Sequence, residues 1–345
     1  MIKHTCSLAL PCLIALVACS DQSLAMSTEV EVEEIRRESP VPTEPSSTLE
    51  FEEPIILPTQ TLVDRSGWIA FSSIRNGDQD LYLVNPDNSD LAKMGLSELR
   101  PSQPAWSPDG QMLAFDGGGG DIYIVNSQCV DFPEGCLSSA VNLTRNRDGI
   151  FLYPSWTPDG EEVTHTYGEA NTFFTLAIES SSVTGDQVRE LFSSVATLRA
   201  PDWSPDGNSL AFTSDQYRTD ALSMGDVAIT ESDGSIQIQL IEAHDNIRDS
   251  YEPAWSPDGT QIAFVTSAGD EFVGTFVESV YVFALENREV GLLVENGSHP
   301  SWSPDGSQIV FQAIEGLFVI DVDGSGLRQL TDVGIDVDFA PAWSP

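Results

Sequence analysis

The chain has 345 residues, enough for one large hydrophobic core or two modest ones. Asp plus Glu number 54 against 15 Lys plus Arg, a formal charge of −39, and lysine occurs only at Lys3 and Lys93. A surface of that sign repels nucleic-acid phosphates, so no nucleic-acid partner is expected, whereas cationic partners, divalent metals or a salty medium are compatible with it.

Residues 1–4 are short and basic, and residues 7–18 form an apolar run too short to span a bilayer stably. The run ends in Leu16-Val17-Ala18-Cys19, which resembles the lipobox of bacterial lipoproteins. That resemblance implies cleavage before Cys19 and acylation of Cys19, which would tie the exported protein to a membrane more firmly than a single chain can. Ser20 follows the cysteine where inner-membrane retention signals carry Asp, so the resemblance points to the outer membrane in a cell that has one. Residues 1–18 thus read as a lipoprotein signal peptide and residues 19–60 as a lipidated, acidic, disordered tether. Ten acidic residues and prolines at 40, 42, 45, 54 and 58 oppose a packed core there. Ile55-Ile56-Leu57 is its one apolar patch.

From residue 61 onward the sequence repeats. Pro-x-Trp-Ser-Pro-Asp-Gly occupies residues 104–110, 201–207, 253–259 and 300–306, with Thr157 replacing Ser in residues 154–160, and a sixth copy begins at residues 341–345. The tryptophans fall at 106, 156, 203, 255, 302 and 343, at spacings of 41 to 52 residues. Ser-Pro-Asp-Gly suits a β-turn: proline presets φ, Asp bonds the local backbone, and Gly relieves the exit. Each turn leads into an apolar triplet such as Leu113-Ala114-Phe115, then an alternating segment such as Ile122-Tyr123-Ile124-Val125, then a short segment such as Asn142-Leu143-Thr144. β-Branched and aromatic residues dominate and helical periodicity is absent. Four short strands per unit predict an all-β, six-bladed β-propeller over residues 61–345. Ile69-Ala70-Phe71 lacks a Trp-Ser-Pro before it, and the last Trp-Ser-Pro has nothing after it. The expectation is therefore a propeller closed by pairing of N- and C-terminal strands in one blade.

These units resemble the WD40-like Pro-Asp repeats of the TolB propeller family over residues 61–345. The resemblance implies a six-bladed propeller at work in the cell envelope, where TolB acts with a peptidoglycan-associated lipoprotein. TolB proteins carry an α/β domain before the propeller, which residues 20–60 cannot form. Prolyl oligopeptidases have propellers of related appearance beside an α/β-hydrolase domain, but no Gly-x-Ser-x-Gly nucleophile elbow occurs here. Pectin-oligomer lyases share similar repeats and hold a metal with histidines; beyond Cys19 this chain offers only His165, His244 and His299.

The repeated tryptophans read as packing between blades, and the repeated Asp of each turn as a backbone cap. Cys129 and Cys136 bracket a six-residue loop with Pro133 and Gly135, which fits a disulfide in an exported protein; the alternative, two metal ligands, lacks a nearby third Cys or His. Asp-rich residues 85–90 and 321–326 place acids on alternate positions without completing a calcium loop, and both read as hairpin turns. His165 takes the place of the usual Phe and reads as a strand residue rather than a base. No catalytic residue, metal or cofactor is assigned. Family geometry places the segments entering the inner strands around one mouth of an axial channel. These segments are Ser102-Gln103, Leu152-Tyr153, Arg199-Ala200, Tyr251-Glu252, Ser298-His299 and Phe339-Ala340. The candidate binding site drawn from them is Tyr153, Arg199, Tyr251, Glu252, His299 and Phe339, with preceding loops adding residues such as His244 and Asp249. Aromatic area, opposite charges and a histidine around a concave mouth suit ligand recognition. The expected function is a non-enzymatic envelope binding or scaffold module presenting this mouth to a protein or glycan. The alternatives are a polysaccharide lyase or hydrolase acting there, and a purely structural envelope lipoprotein.

Overall fold

The computed structural model describes residues 63–345, apart from 88–89, 133–134, 170–174, 217–224, 236, 241–248, 271–274 and 333–335. The signal-peptide, tether and Cys19 expectations, the patch at 55–57 and His244 lie outside the described residues.

Six four-stranded antiparallel sheets make six blades. Blade 1 combines Val337–Trp343 with Ile69–Arg75, Asp78–Val84 and Leu91–Lys93; blade 2 holds Ser102–Trp106, Met112–Asp116, Ile122–Asn126 and Val141–Asn142. Blade 3 runs Ile150–Trp156, Glu162–Gly168, Thr175–Ser182 and Val188–Ser193, and blade 4 runs Leu198–Trp203, Ser209–Ser214, Asp226–Glu231 and Gln237–Gln239. Blade 5 holds Tyr251–Trp255, Gln261–Asp270, Thr275–Ala284 and Val290–Glu295; blade 6 holds Ser298–Trp302, Gln308–Ala313, Gly316–Asp321 and Arg328–Gln329.

The expectation of closure by pairing of the N- and C-terminal strands needs correction. No sheet is closed by strand pairing: all six are open, with an inner and an outer edge. Val337–Trp343 does lie antiparallel to Ile69–Arg75, but that ladder only completes one open blade. The ring is joined by side-chain packing, each inner strand lying against the inner strands of its two neighbours. The physical reason is that blades stand face to face around the axis, so their hydrogen-bonding edges point toward and away from it rather than at one another.

Packing between faces accounts for the composition of the strands. Ile69 and Phe71 pack with Val310, Leu317 and Val319 of blade 6, whereas Ala70, Leu81 and Leu83 pack with Leu113 and Phe115 of blade 2. Both faces of a blade are thus covered, so apolar residues run on without strict alternation. Phe71, Phe115, Phe212, Phe264 and Phe311 occupy one equivalent position and are at most 2% exposed. The tryptophans stitch adjacent blades. Trp106, Trp156 and Trp302 donate their indole N–H to the carbonyls of Ala342, Ala105 and Ala254 on the preceding blade, at 3.0–3.1 Å. Trp203 donates instead to Thr164 Oγ1 at 2.8 Å, because Thr164 stands where most blades have Ala.

The Ser-Pro-Asp-Gly turns repeat one hydrogen-bond pattern. In blade 2, Ser107 Oγ donates to Asp109 Oδ1 (2.6 Å), which also accepts from Gln111 N–H (3.0 Å), while Met112 N–H donates to Ser107 Oγ (2.9 Å). Those bonds hold the carboxyls of Asp109, Asp159, Asp206, Asp258 and Asp305 below the usual range, as expected of structural caps. The turn glycines sit at φ near +70° and abut a proline of the previous turn: Gly160 on Pro108, Gly207 on Pro158, Gly259 on Pro205. A side chain there would be strained by the backbone, and at position 259 its Cβ would also come within 3.2 Å of Pro205 on the neighbouring blade. Cys129 and Cys136 are joined in a disulfide beside the core shared by blades 1 and 2. Asp321 accepts from Gln308 Nε2 (2.7 Å) and Ser325 Oγ (3.3 Å), so its carboxylate serves its own hairpin.

Candidate functional site: the axial channel and its mouth

The residue before the Pro of each Pro-x-Trp unit has a left-handed backbone. Gln103, Tyr153, Ala200, Glu252, His299 and Ala340 have φ between +46° and +56°. At each of these points the pairing of the inner strand with its neighbour shifts register. Proline disfavours the right-handed helical region for the residue before it, and the bulge turns that residue off the ladder. The freed N–H groups find partners on the preceding blade. Tyr153 N–H donates to Asp116 Oδ2 (3.3 Å), Glu252 N–H to Thr213 Oγ1 (3.1 Å) and Ala340 N–H to Gln312 Oε1 (3.3 Å). In blade 5 the residue equivalent to Thr213 is Val265, which has no acceptor, and His299 N–H instead donates to Glu252 Oε2 (3.0 Å). Because Ala200 and Ala340 share the conformation, the strained backbone belongs to the blade; only the side chains it presents can belong to a site.

Those side chains rim a channel with a volume of about 470 Å³. The ring order is Gln103, Tyr153, Ala200, Glu252, His299, Ala340, so the two alanines lie on opposite blades and leave room for their neighbours to reach across. His299 Nε2 lies 3.2 Å from Glu252 Oε1 and 3.4 Å from Gln103 Nε2, the latter contact passing over the Ala340 position. His299 Nδ1 is buried and has no hydrogen-bond partner. Tyr153 is pushed above its ordinary pKa, first by burial and then by the charges of Glu252 and Asp116, against the pull of Arg199. The mouth is therefore a band of hydrogen-bonding groups with one aromatic ring and one carboxylate.

One step down, the middle residues of Pro-x-Trp line the wall: Ala105, Ser155, Asp202, Ala254, Ser301 and Ala342. Asp202 is the one charged member of this tier. Its Oδ2 accepts from Trp255 N–H (2.7 Å) and its Oδ1 lies 3.4 Å from Ser155 Oγ. The residue has some surface toward the channel, but the blades around it enclose the carboxylate, and burial pushes its pKa up to about 7. Asp116, under the mouth, is likewise pushed by burial up to about 6.

Of the six residues proposed from the sequence, Tyr153, Glu252 and His299 line the channel, while Arg199, Tyr251 and Phe339 stand one residue earlier and do not. Tyr251 is 8% exposed and donates its hydroxyl to Glu278 Oε1 at 2.9 Å; its pKa is raised by burial and by Glu278. Arg199 and Phe339 are half-buried at the flanks. Gln103 and Asp202 also line the channel and are not among those six. The available signal was register: the channel takes the third and first residues before each Trp, and the sequence-derived set mixed the third with the fourth. Among the described residues no group of three or more His, Cys, Asp or Glu could hold a metal ion.

No protein-family model matches the chain. A TolB homolog of Chlorobium luteolum is 27% identical over 152 residues, 43% of this chain and 32% of that protein. The match thus spans about a third of the relative's length. Among solved structures, TolB from Acinetobacter baumannii superposes with a TM-score of 0.63 at 21% identity, covering 82% of this chain and 68% of that one. An oligogalacturonate lyase solved in complex with manganese gives a TM-score of 0.54 at 14% identity, over 77% and 74% of the two chains. At those identities the structural likeness establishes the fold and not the activity. The chain is a six-bladed β-propeller related distantly to TolB-family proteins.

Proposed function

We propose that this protein is a cell-envelope binding module that takes a protein or glycan at the channel mouth without making or breaking bonds. The observation that carries this reading is the convergence of Tyr153, Glu252, His299 and Gln103 on one rim, where His299 Nε2 lies between Glu252 and Gln103. A polar ligand group could form hydrogen bonds with Glu252, His299 Nε2 and Gln103, and the Tyr153 ring would supply apolar area. Arg199, Tyr251 and Phe339 support the rim from outside it. In this reading the signal peptide is removed, Cys19 is acylated, and residues 19–60 tether the propeller to the membrane. An unmodified mature N-terminus in mass spectrometry would remove that part of the proposal.

The test of the mouth starts by identifying a ligand with an envelope pull-down or an array of envelope and plant-wall oligosaccharides. Affinity is then measured for Tyr153→Ala, Glu252→Gln and His299→Ala combined, after thermal melting has shown the variant folded. A loss of tenfold or more, about 1.4 kcal/mol, is expected. Unchanged affinity would move the site elsewhere. The fold shared with an oligogalacturonate lyase favours a second reading, in which the mouth is catalytic. Turnover of an oligogalacturonide, abolished by the same variant, would establish it.

A further inference from the structure

We propose that the outer edge of blade 5, the strand Val290–Glu295, receives an extended segment of a cationic partner protein by β-strand addition. This surface is separate from the channel mouth and does not rest on the reading of that mouth.

An outer strand with unpaired backbone groups is a template for another strand. Four blades blunt it by brevity: Leu91–Lys93, Val141–Asn142, Gln237–Gln239 and Arg328–Gln329 have two or three residues each. Two outer strands have six residues. Val188–Ser193 of blade 3 carries charge within the strand, with Arg189 paired to Glu162 at 2.7 Å. Val290–Glu295 of blade 5 is Val-Gly-Leu-Leu-Val before its closing Glu, with Leu292 50% exposed. Beside it lies a groove of about 490 Å³ lined by Val282, Ala284, Leu293 and Val322 together with Gln261 and Glu289. The strand therefore offers both requirements of strand addition: main-chain groups on an edge and an adjoining trough, part apolar and part polar, for side chains.

The ladder identifies which groups are free. Ala284 N–H donates to Glu289 C=O at 2.9 Å, closing the hairpin. Val282 is opposite Gly291 and Tyr281 opposite Leu292. Antiparallel pairs alternate between bonded and non-bonded, so Gly291 faces its partner strand and the main chain of Val290 and Leu292 faces outward; past Leu292 the register shifts, Val280 standing opposite Val294, and the regular edge ends there.

Charge selects the occupant. Glu289 and Glu295, both exposed, stand at the two ends of the strand. Arg288, next to Glu289 in the chain, reaches toward Leu240 of blade 4 (3.5 Å to its carbonyl) and stacks over Phe283. A second copy added antiparallel would set Glu289 against Glu295 at each end, and like charges opposite one another destabilise a strand pair; the formal charge of −39 on each chain adds to the repulsion. A segment with alternating apolar residues and a Lys or Arg at each end, roughly 20 Å apart for six extended residues, meets both carboxylates.

The experiment uses the full chain and a fluorescein-labelled peptide Lys-Val-Thr-Val-Thr-Val-Lys, followed by anisotropy at physiological salt, with a Glu-flanked peptide for comparison. Leu292→Pro deletes an outward N–H without breaking a ladder bond. Val188→Pro does the same on blade 3, where Ser182 N–H donates to Gln187 C=O and Val188 faces outward by the same alternation. The expected result is a loss of at least about tenfold for Leu292→Pro, less than twofold for Val188→Pro, and weaker binding of the Glu-flanked peptide. If Leu292→Pro melts below the parent, Leu292→Lys, which keeps the backbone donor but repels the peptide, and the pair Glu289→Gln with Glu295→Gln carry the test; each is expected to weaken binding by a similar factor. Equal binding by all variants would reduce the interaction to diffuse attraction by an acidic protein and overturn the proposal. So would a concentration-dependent dimer in sedimentation that Leu292→Pro abolishes, which would assign the edge to a second copy.

Discussion

Replacing His165 with Phe should make the propeller markedly more resistant to acid. His165 is fully buried in the position that five other blades fill with Phe. Its Nε2 lies 2.9 Å from Ser181 Oγ and its ring meets Phe151 edge-on at 5.5 Å. Burial, opposed by the backbone of Thr166 and aided by the nearby charge of Arg147, lowers its pKa from 6.5 to about 3. The native state therefore keeps the ring neutral, while the unfolded chain takes up a proton below pH 6.5. Stability falls as pH drops from 6.5 toward 3, because the unfolded state binds the extra proton. Between pH 7.5 and pH 4.5 this linkage removes about 3 kcal/mol from the parent and nothing from His165→Phe. Urea unfolding of both proteins at the two pH values measures the difference of differences, in which other titrating groups cancel and the lost Ser181 contact, being independent of pH, drops out. A gap below about 1 kcal/mol would mean that the ring is protonated within the fold or reached by water, and would refute the reasoning.

Asp202→Asn should act in the opposite direction: with a native pKa near 7 the parent loses stability as pH rises from 3.8 to 7. The Asn variant is therefore expected to gain at pH 8, up to a ceiling of about 4 kcal/mol that channel water lowers, and to gain nothing at pH 3. Melting curves that shift equally at both pH values would contradict this. Trp156→Ala removes a 7% exposed side chain and its bond to Ala105 of the neighbouring blade, so calorimetry should show a loss of about 3–5 kcal/mol; a loss under about 1 kcal/mol would mean that the tryptophans do not join the blades.

Much of the architecture was legible because a propeller is a local repeat. Trp-Ser-Pro-Asp-Gly specifies a turn by its own hydrogen bonds, and the strands after it are recognised by composition, so blade number and strand number follow from counting. The partner of Cys129 was also legible, because only seven positions separate it from Cys136. How the ring holds together was not: whether edges pair or faces pack depends on how sheets stand in space, and the sheets proved open, with the tryptophans and Phe-type positions filling the gaps between them.

The mouth shows the same division more sharply. Sequence by itself determined which short segments lead into the inner strands, because each precedes a Pro-x-Trp. It did not determine which residue of each segment turns into the channel, since that depends on the left-handed bulge at Gln103, Tyr153, Ala200, Glu252, His299 and Ala340, a conformation that non-glycine residues do not announce. Tertiary structure alone decided that Tyr251 turns outward to Glu278, that Glu252 supplies the acceptor Val265 cannot, and that Asp202 faces the axis. Turn and strand identity are set by neighbours along the chain, whereas the burial, register and partners that make a side chain part of a site are set by residues some fifty positions away.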